Sequence, residues 1–167
     1  MIDQLLRAIQ GSAFANWVQE TAYPYVITLH SIGLALLVGL LVVIDVRVLG
    51  FGRGLPIPAL RRFMTVIWIG FWTNFASGIM LFSIDAKKDY YSSLFRIKLL
   101  SIAVGLILGT LIKRAVLDRE AEYSAADASA PSSAKVLALF SLLCWTGAIV
   151  SGRLLAYFTF GDVGVDG

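Results

Sequence analysis

The sequence predicts an all-α membrane protein, a four-transmembrane-helix bundle with an N-terminal amphipathic interfacial helix. Of the 167 residues, 58% are hydrophobic and 15% are charged, and the mean hydropathy is +0.80. Soluble domains have about 25% charged residues, so this composition indicates that lipid is the solvent. Four apolar runs have the length of a membrane span. Basic residues flank these runs, as they do where they anchor transmembrane helices.

The N-terminal segment has the pattern of an amphipathic helix. Apolar residues recur at intervals of three or four positions, at Ile2, Leu5, Leu6, Ile9, Ala13 and Trp17. Polar residues fall mostly on the other side, which is typical of a helix that lies in the membrane interface. Gly11 and Ser12 are expected to bend this helix.

Four apolar segments follow, each close to the ~20 residues that cross a hydrocarbon core about 30 Å thick. The predicted spans cover about residues 25–44, 63–84, 95–112 and 136–160. A Gly- and Pro-rich loop separates the first two spans, and a flexible loop of about residues 114–135 separates the last two. We therefore expect residues 1–167 to form a single transmembrane domain.

The basic residues also predict an orientation. Eight of the 14 Lys and Arg residues lie by the loops after the first and third spans, and six lie on the opposite side. The positive-inside rule therefore favours cytoplasmic loops and two termini outside. Because the positive charge serves to anchor helices, we expect the bilayer as partner and no nucleic acid, despite a net charge of +3.

The only histidine in the chain, His30, is the first candidate functional residue. It lies about six residues inside the first predicted span, roughly 9 Å along the helix axis. Ionisable side chains at such depth are rare, usually face the bundle interior and are functional candidates by default. A hydrogen-bonded structural histidine is the alternative.

Three further residues lie at a similar predicted depth on the other spans. Arg153 either snorkels to the outer interface or holds a buried anion, such as a haem propionate or a quinone-like head group. Lys98 either anchors its helix or binds an anion. Met80 is a weak candidate metal ligand with a thioether, and simple packing is its alternative role. One site shared by these residues and His30 is compatible with the sequence.

Haem b is the metal cofactor that best suits a single histidine. A zinc site needs three or four protein ligands, whereas haem iron needs one proximal histidine. The sequence has no Cys-x-x-Cys-His signature, so any haem would be bound noncovalently. We expect His30 to be the axial ligand and Arg153 or Lys98 to bind the propionates.

Several stretches carry a resemblance to known membrane proteins: TLHSIGLALLVGLLVVIDVRVLGFGRGLP, WIGFWTNFASGIMLF and SLFRIKLL. Together they resemble an uncharacterised family of bacterial four-helix inner-membrane proteins. More distantly, the early histidine and the Phe-x-x-Lys element are similar to HemJ-type protoporphyrinogen oxidases and to copper-resistance protein D. The first similarity implies a haem b bundle with His30 as axial ligand and Lys98 near the haem. The second implies a copper role.

The leading hypothesis is a redox-active haem b protein of the bacterial inner membrane. It would carry out electron transfer or a small oxidoreductase reaction at the outer face, with oxygen, a quinone or a redox protein as partner. A copper-related protein and a structural or transport subunit without haem remain alternatives. Gly105 and Gly109 form a GxxxG pair that allows packing within the bundle or a homo-oligomer.

Asp45 and Arg47 stand at the predicted inner end of the first span. Surface-level charges rarely mark a reaction centre. We expect these two residues to end the helix at the interface, where they would pair with each other or with groups of the following loop.

Overall fold

The computed structural model of the chain describes residues 1–52, 54–119, 122–123 and 129–161. These residues form helices and turns, and none of them is in a strand. Four helices are long and apolar enough to cross a membrane: Ala13–Leu49, Phe63–Ile84, Ser93–Leu117 and Ser132–Tyr157. The predicted all-α class with four membrane-spanning helices is confirmed, and the helices are those of a multi-pass membrane protein.

The helices, in chain order, are α1 (Ile2–Gln10), α2 (Ala13–Trp17), α3 (Tyr23–Leu49), α4 (Ile57–Leu60), α5 (Phe63–Ile84), α6 (Ala86–Tyr91), α7 (Ser93–Ile112) and α8 (Ser132–Gly161). One π-helical turn, Val18–Ala22, joins α2 to α3, and another, Lys113–Leu117, continues α7.

The amphipathic N-terminal helix is present as α1, and it ends where the sequence predicts a break. Gly11 follows its last residue, and the Ser12 hydroxyl caps α2 by accepting a hydrogen bond from the Ala15 amide at 3.1 Å. The same hydroxyl donates to the carbonyl oxygen of Ile9 at 2.7 Å. A serine that bonds both flanking turns explains why the chain bends here without losing its backbone hydrogen bonds.

The membrane-spanning helices are longer than predicted at three ends. Helix α3 continues five residues beyond residue 44, because apolar residues surround Asp45 and Arg47, and it ends where Gly50 adopts a positive φ of 108°. Helix α8 begins at Ser132, four residues before the predicted span. The π-helical turn after α7 occupies the start of the loop predicted at 114–135, of which residues 120–121 and 124–128 lie outside the described part of the chain.

The chain divides into two compact units. The first unit consists of Met1–Leu40 and Met64–Tyr91, and the second consists of Leu41–Phe63 and Ser92–Gly167. Helix α3 therefore contributes its N-terminal part to the first unit and its C-terminal part to the second.

In the first unit, α3 and α5 pack in antiparallel directions at very close range. A Cβ atom on Gly33 would lie 2.7 Å from the backbone nitrogen of Asn74, and one on Gly70 would lie 2.8 Å from the backbone nitrogen of Leu37. As the residue numbers rise along α3, the numbers of the facing residues on α5 fall, so the two helices run in opposite directions. Two glycines let the helix backbones touch, and this contact fixes which residues of the two helices face each other.

An apolar cluster closes the other end of the same helix pair. Its buried members Val18, Ala22 and Val26 come from the π-helical turn and the start of α3. Met80, Leu81 and Ile84 of α5 pack against them.

In the second unit, α7 and α8 form an antiparallel pair lined by small residues. A Cβ atom on Gly105 would lie 2.9 Å from the Trp145 ring, and one on Gly147 would lie 3.3 Å from the Ser101 hydroxyl. A Cβ atom on Gly109 would lie 3.3 Å from the side chain of Leu41 on α3. Both members of the GxxxG pair thus contact side chains of their own chain.

The short helix α4 packs against the π-helical turn that follows α7. Ile57 and Leu60 of α4 are buried, as are Val116 and Leu117 of the π-helical turn that α4 contacts. Lys113, the first residue of this turn, donates through Nζ to both carboxylate oxygens of Asp118, at 2.8 and 2.9 Å. These bonds lower the pKa of the Asp118 carboxyl.

Gly33→Ala should destabilise the protein, because the new methyl group would meet the backbone of α5. Overpacking of this kind costs about 1–3 kcal/mol. Gly39→Ala is the matched control on the same helix, since a Cβ atom there meets nothing within 4 Å. Thermal unfolding in detergent should show a lower midpoint for Gly33→Ala alone. Equal midpoints for the two variants would contradict the close contact of α3 with α5.

Candidate functional site

The candidate site is centred on His30, whose imidazole contacts α5 within the first unit. Its Nδ1 atom lies 3.0 Å from the Ser77 hydroxyl oxygen, and the side chain is half-buried. Ser77 is itself buried, so this hydrogen bond is shielded from solvent on the side of α5.

The hydrogen bonds of Ser77 favour one tautomer of His30. The Ser77 hydroxyl lies within donor distance of backbone carbonyls of its own helix, that of Thr73 at 2.7 Å and that of Asn74 at 3.1 Å. A hydroxyl has one hydrogen, so when it donates to the nearer carbonyl its oxygen accepts a bond from the histidine. Nδ1 therefore carries the proton, and Nε2 of the neutral ring carries the lone pair; this assignment follows from the hydrogen-bond network.

Asn74 and Gly78 complete the surface of α5 that receives the histidine. Asn74 Nδ2 donates to the backbone carbonyl oxygen of His30 at 2.8 Å. A Cβ atom on Gly78 would lie 3.4 Å from the His30 Cε1 atom, so the imidazole rests directly against the helix backbone. Asn74, Ser77 and Gly78 follow the i, i+3, i+4 spacing of one helix face.

Sequence reasoning identified His30 and missed Ser77 and Gly78. The available signal was their spacing from Asn74, because three small or polar residues on one face of an apolar helix require a matching partner. Which partner they meet depends on the contact of Gly33 and Gly70, which no local pattern reveals.

Met80 packs in the apolar cluster at the start of α3, against Val18, Ala22 and Val26. This contact agrees with the packing role. Its role as a metal ligand stays a prediction.

Lys98 and Arg153 lie on the two paired helices of the second unit, α7 and α8. The Lys98 side chain lies against Gly152, where a Cβ atom would be 3.5 Å from Cδ and Cε and 3.7 Å from Nζ. The exposed guanidinium of Arg153, the next residue of α8, stacks over the Tyr157 ring at 5.2 Å from its centroid. Each cation has the charge to bind an anion, and a stacked arginine on an exposed surface suits an interfacial anchor equally well.

The predicted residues therefore belong to two separately packed units. His30 and Met80 lie in the first unit, and Lys98 and Arg153 lie in the second. A single site shared by all four stays a prediction.

Asp45 and Arg47 are not surface-level charges, contrary to expectation. Their exposed fractions are 1% and 3%. Arg47 Nε donates to the backbone carbonyl oxygen of Leu55 at 2.7 Å, so the expected pairing with the following loop is present for the arginine. The two residues lie within α3 and do not end it.

Among the residues that the structure describes, no group of three or more His, Cys, Asp or Glu side chains is arranged to hold a metal ion. Comparisons with protein-family models, curated proteins and solved structures find no match for the chain. The fold and the site define a class, a helical multi-pass membrane protein with a histidine held between two of its helices.

The tautomer of His30 can be measured directly, because the chain has one histidine and ¹⁵N-histidine labelling gives one ring. At a pH where the ring is neutral, we expect nitrogen shifts of an Nδ1-protonated imidazole in the cofactor-free protein. Ser77→Ala should shift the population towards the Nε2-protonated form, because the acceptor for Nδ1 is lost.

Ser83→Ala is the matched control, since Ser83 is a buried serine of α5 that donates to a carbonyl of its own helix, that of Met80. It should leave the His30 shifts unchanged. An Nε2-protonated ring in the unaltered protein would contradict the assigned hydrogen-bond network.

Proposed function

We propose that this chain is a haem b-binding protein of the bacterial inner membrane, with His30 as axial ligand of the iron and a role in redox chemistry. The observation that carries the proposal is the bond from His30 Nδ1 to the Ser77 hydroxyl. With Nδ1 as the donor in this bond, Nε2 is the ring nitrogen that would bind iron.

This arrangement is the one that metal-binding histidines usually have. Their second ring nitrogen donates to an oxygen acceptor, which fixes the ring orientation and makes the coordinating nitrogen more basic. Ser77 supplies the acceptor, and Asn74 holds the backbone of His30 in place.

The surroundings of His30 also fit a planar apolar macrocycle. The residues of α3 and α5 around the site are mostly apolar, as the ring of a porphyrin requires, and Gly78 lets the imidazole lie against α5. Cofactors of helix bundles are commonly held by side chains from facing helices. One histidine is sufficient for haem, because the porphyrin supplies four of the iron ligands.

When bound, haem would supply a one-electron iron couple. His30 would bind the iron, and Ser77 would keep its ring oriented. Electron transfer and a small oxidoreductase reaction both use this arrangement, with oxygen, a quinone or a redox protein as partner. The resemblance to HemJ-type oxidases supports the same cofactor.

The remaining parts of the proposal come from the sequence. Lys98 and Arg153 have the charge to bind carboxylates such as the propionates, and the excess of basic residues beside the first and third loops favours two outward termini. A homo-oligomer through small-residue helix faces is compatible with this topology.

Replacement of the ligand tests the proposal. His30→Gly should lose the absorption spectrum of axially ligated haem, and added imidazole should restore it by occupying the position of the missing side chain. Ser77→Ala should keep His30 as ligand but bind haem about 10- to 100-fold more weakly, the usual effect of removing a partner of a ligating histidine.

Ser83→Ala is again the control and should match the unaltered protein in haem titrations. A His30→Gly protein that keeps its full spectrum without imidazole would show that another residue is the ligand. A weaker affinity in Ser83→Ala equal to that of Ser77→Ala would show that the effect of Ser77 is unspecific.

A further inference from the structure

A second group of polar side chains lies buried in the second unit, apart from any role given to His30. Within the described residues, the buried side-chain atoms without a hydrogen-bond partner are both carboxylate oxygens of Asp45, the Ser141 hydroxyl, the Trp145 Nε1 atom and Nη2 of Arg47. The exposed fractions of Asp45, Ser141 and Trp145 are 1%, 0% and 1%.

These residues come from helix faces that pack on one another. On α3, Asp45 belongs to a buried stripe with Leu41, Ile44 and Val48. On α8, Ser141 and Trp145 are one turn apart on the buried face. The Ser141 hydroxyl lies beside the Asp45 carboxyl, although the two do not form a well-aligned hydrogen bond.

Helix α7 closes this group through its two glycines. Gly105 lies against the Trp145 ring, and Gly109 lies against Leu41, one turn before Asp45. Larger residues at these positions would separate the helices. The close packing therefore places a carboxyl, a hydroxyl and an indole N–H in the interior of one three-helix contact.

An ionised carboxylate in this position would be costly. Removing such a group from water costs several kcal/mol unless a partner compensates. Among the described residues, the polar neighbour of the carboxyl is Ser141, which is uncharged. Arg47, the charged residue that follows on the same helix, directs its Nε to the Leu55 carbonyl.

A proton and a water molecule together would satisfy this set of groups. A protonated carboxyl can donate to the Ser141 hydroxyl and still accept through its carbonyl oxygen. The indole N–H needs an acceptor, and water can accept from it while donating to the carboxyl, since buried waters typically make about three hydrogen bonds. A metal cation fits less well, because an N–H group cannot coordinate it.

We infer that Asp45, Ser141 and Trp145 form a hydrated proton-binding site inside the second unit. Asp45 binds the proton, Ser141 is its hydrogen-bond partner and Trp145 holds the water. A proton site within a membrane-spanning helix is the kind of group from which proton relays are built. The site does not depend on the cofactor at His30.

Infrared difference spectroscopy on the cofactor-free protein in lipid tests this inference. At neutral pH the unaltered protein should show the carbonyl stretch of a protonated carboxyl, and Asp45→Asn should lack it. Asp118→Asn is the control and should retain the band, because Lys113 keeps the Asp118 carboxyl ionised. Ser141→Ala should shift the band to higher frequency, because a hydrogen bond is lost.

Exchange into D₂O is a further test on the same band. The carbonyl stretch should move to lower frequency, because water in the site lets the acid proton exchange for deuterium. Circular dichroism and elution profile identify an Asp45→Asn protein that fails to fold, in which case the frequency shift of Ser141→Ala decides. A band identical in Asp45→Asn, a band unmoved by Ser141→Ala, or a carboxylate that responds to Na⁺ at neutral pH would each overturn the inference.

Discussion

A polar side chain within an apolar helix must find its partner inside the protein, because lipid offers none. This constraint explains the main polar features of the chain. His30 meets it with a hydrogen bond between Nδ1 and the Ser77 hydroxyl. Asp45 is as deeply buried as an apolar core residue, and its oxygens have no well-aligned partner among the described side chains. The first arrangement suits a metal, and the second suits a proton.

Glycines make both arrangements feasible. Gly33 and Gly70 bring α3 and α5 into backbone contact, which places Ser77 opposite His30. In the second unit, Gly105 accommodates the indole ring of Trp145. Gly33, Gly70 and Gly105 therefore have a defined role, since they set how closely the helices approach at His30 and at Trp145.

The fold was predictable from the sequence because the length of an apolar run and its flanking charges are local properties. The second span, 63–84, coincides with α5, and the break at Ser12 is where expected. The partner of His30 was not predictable, because helix register depends on close contacts between distant parts of the chain. The prediction that Asp45 lies at the surface was wrong, because it was based on the position of this residue near the end of an apolar run. The buried stripe of Leu41, Ile44 and Val48 continues past it, and that 3- and 4-residue spacing was the available signal.

The measurement that tests the central proposal most directly is an absorption spectrum of the detergent-purified, unaltered protein, as isolated and after dithionite, with metal analysis of the same sample. We expect a Soret band, reduced b-type bands and an iron content that matches the haem. A colourless protein after expression with adequate haem would contradict the account of His30 as a haem ligand, and copper in that sample would favour an ion contact in its place.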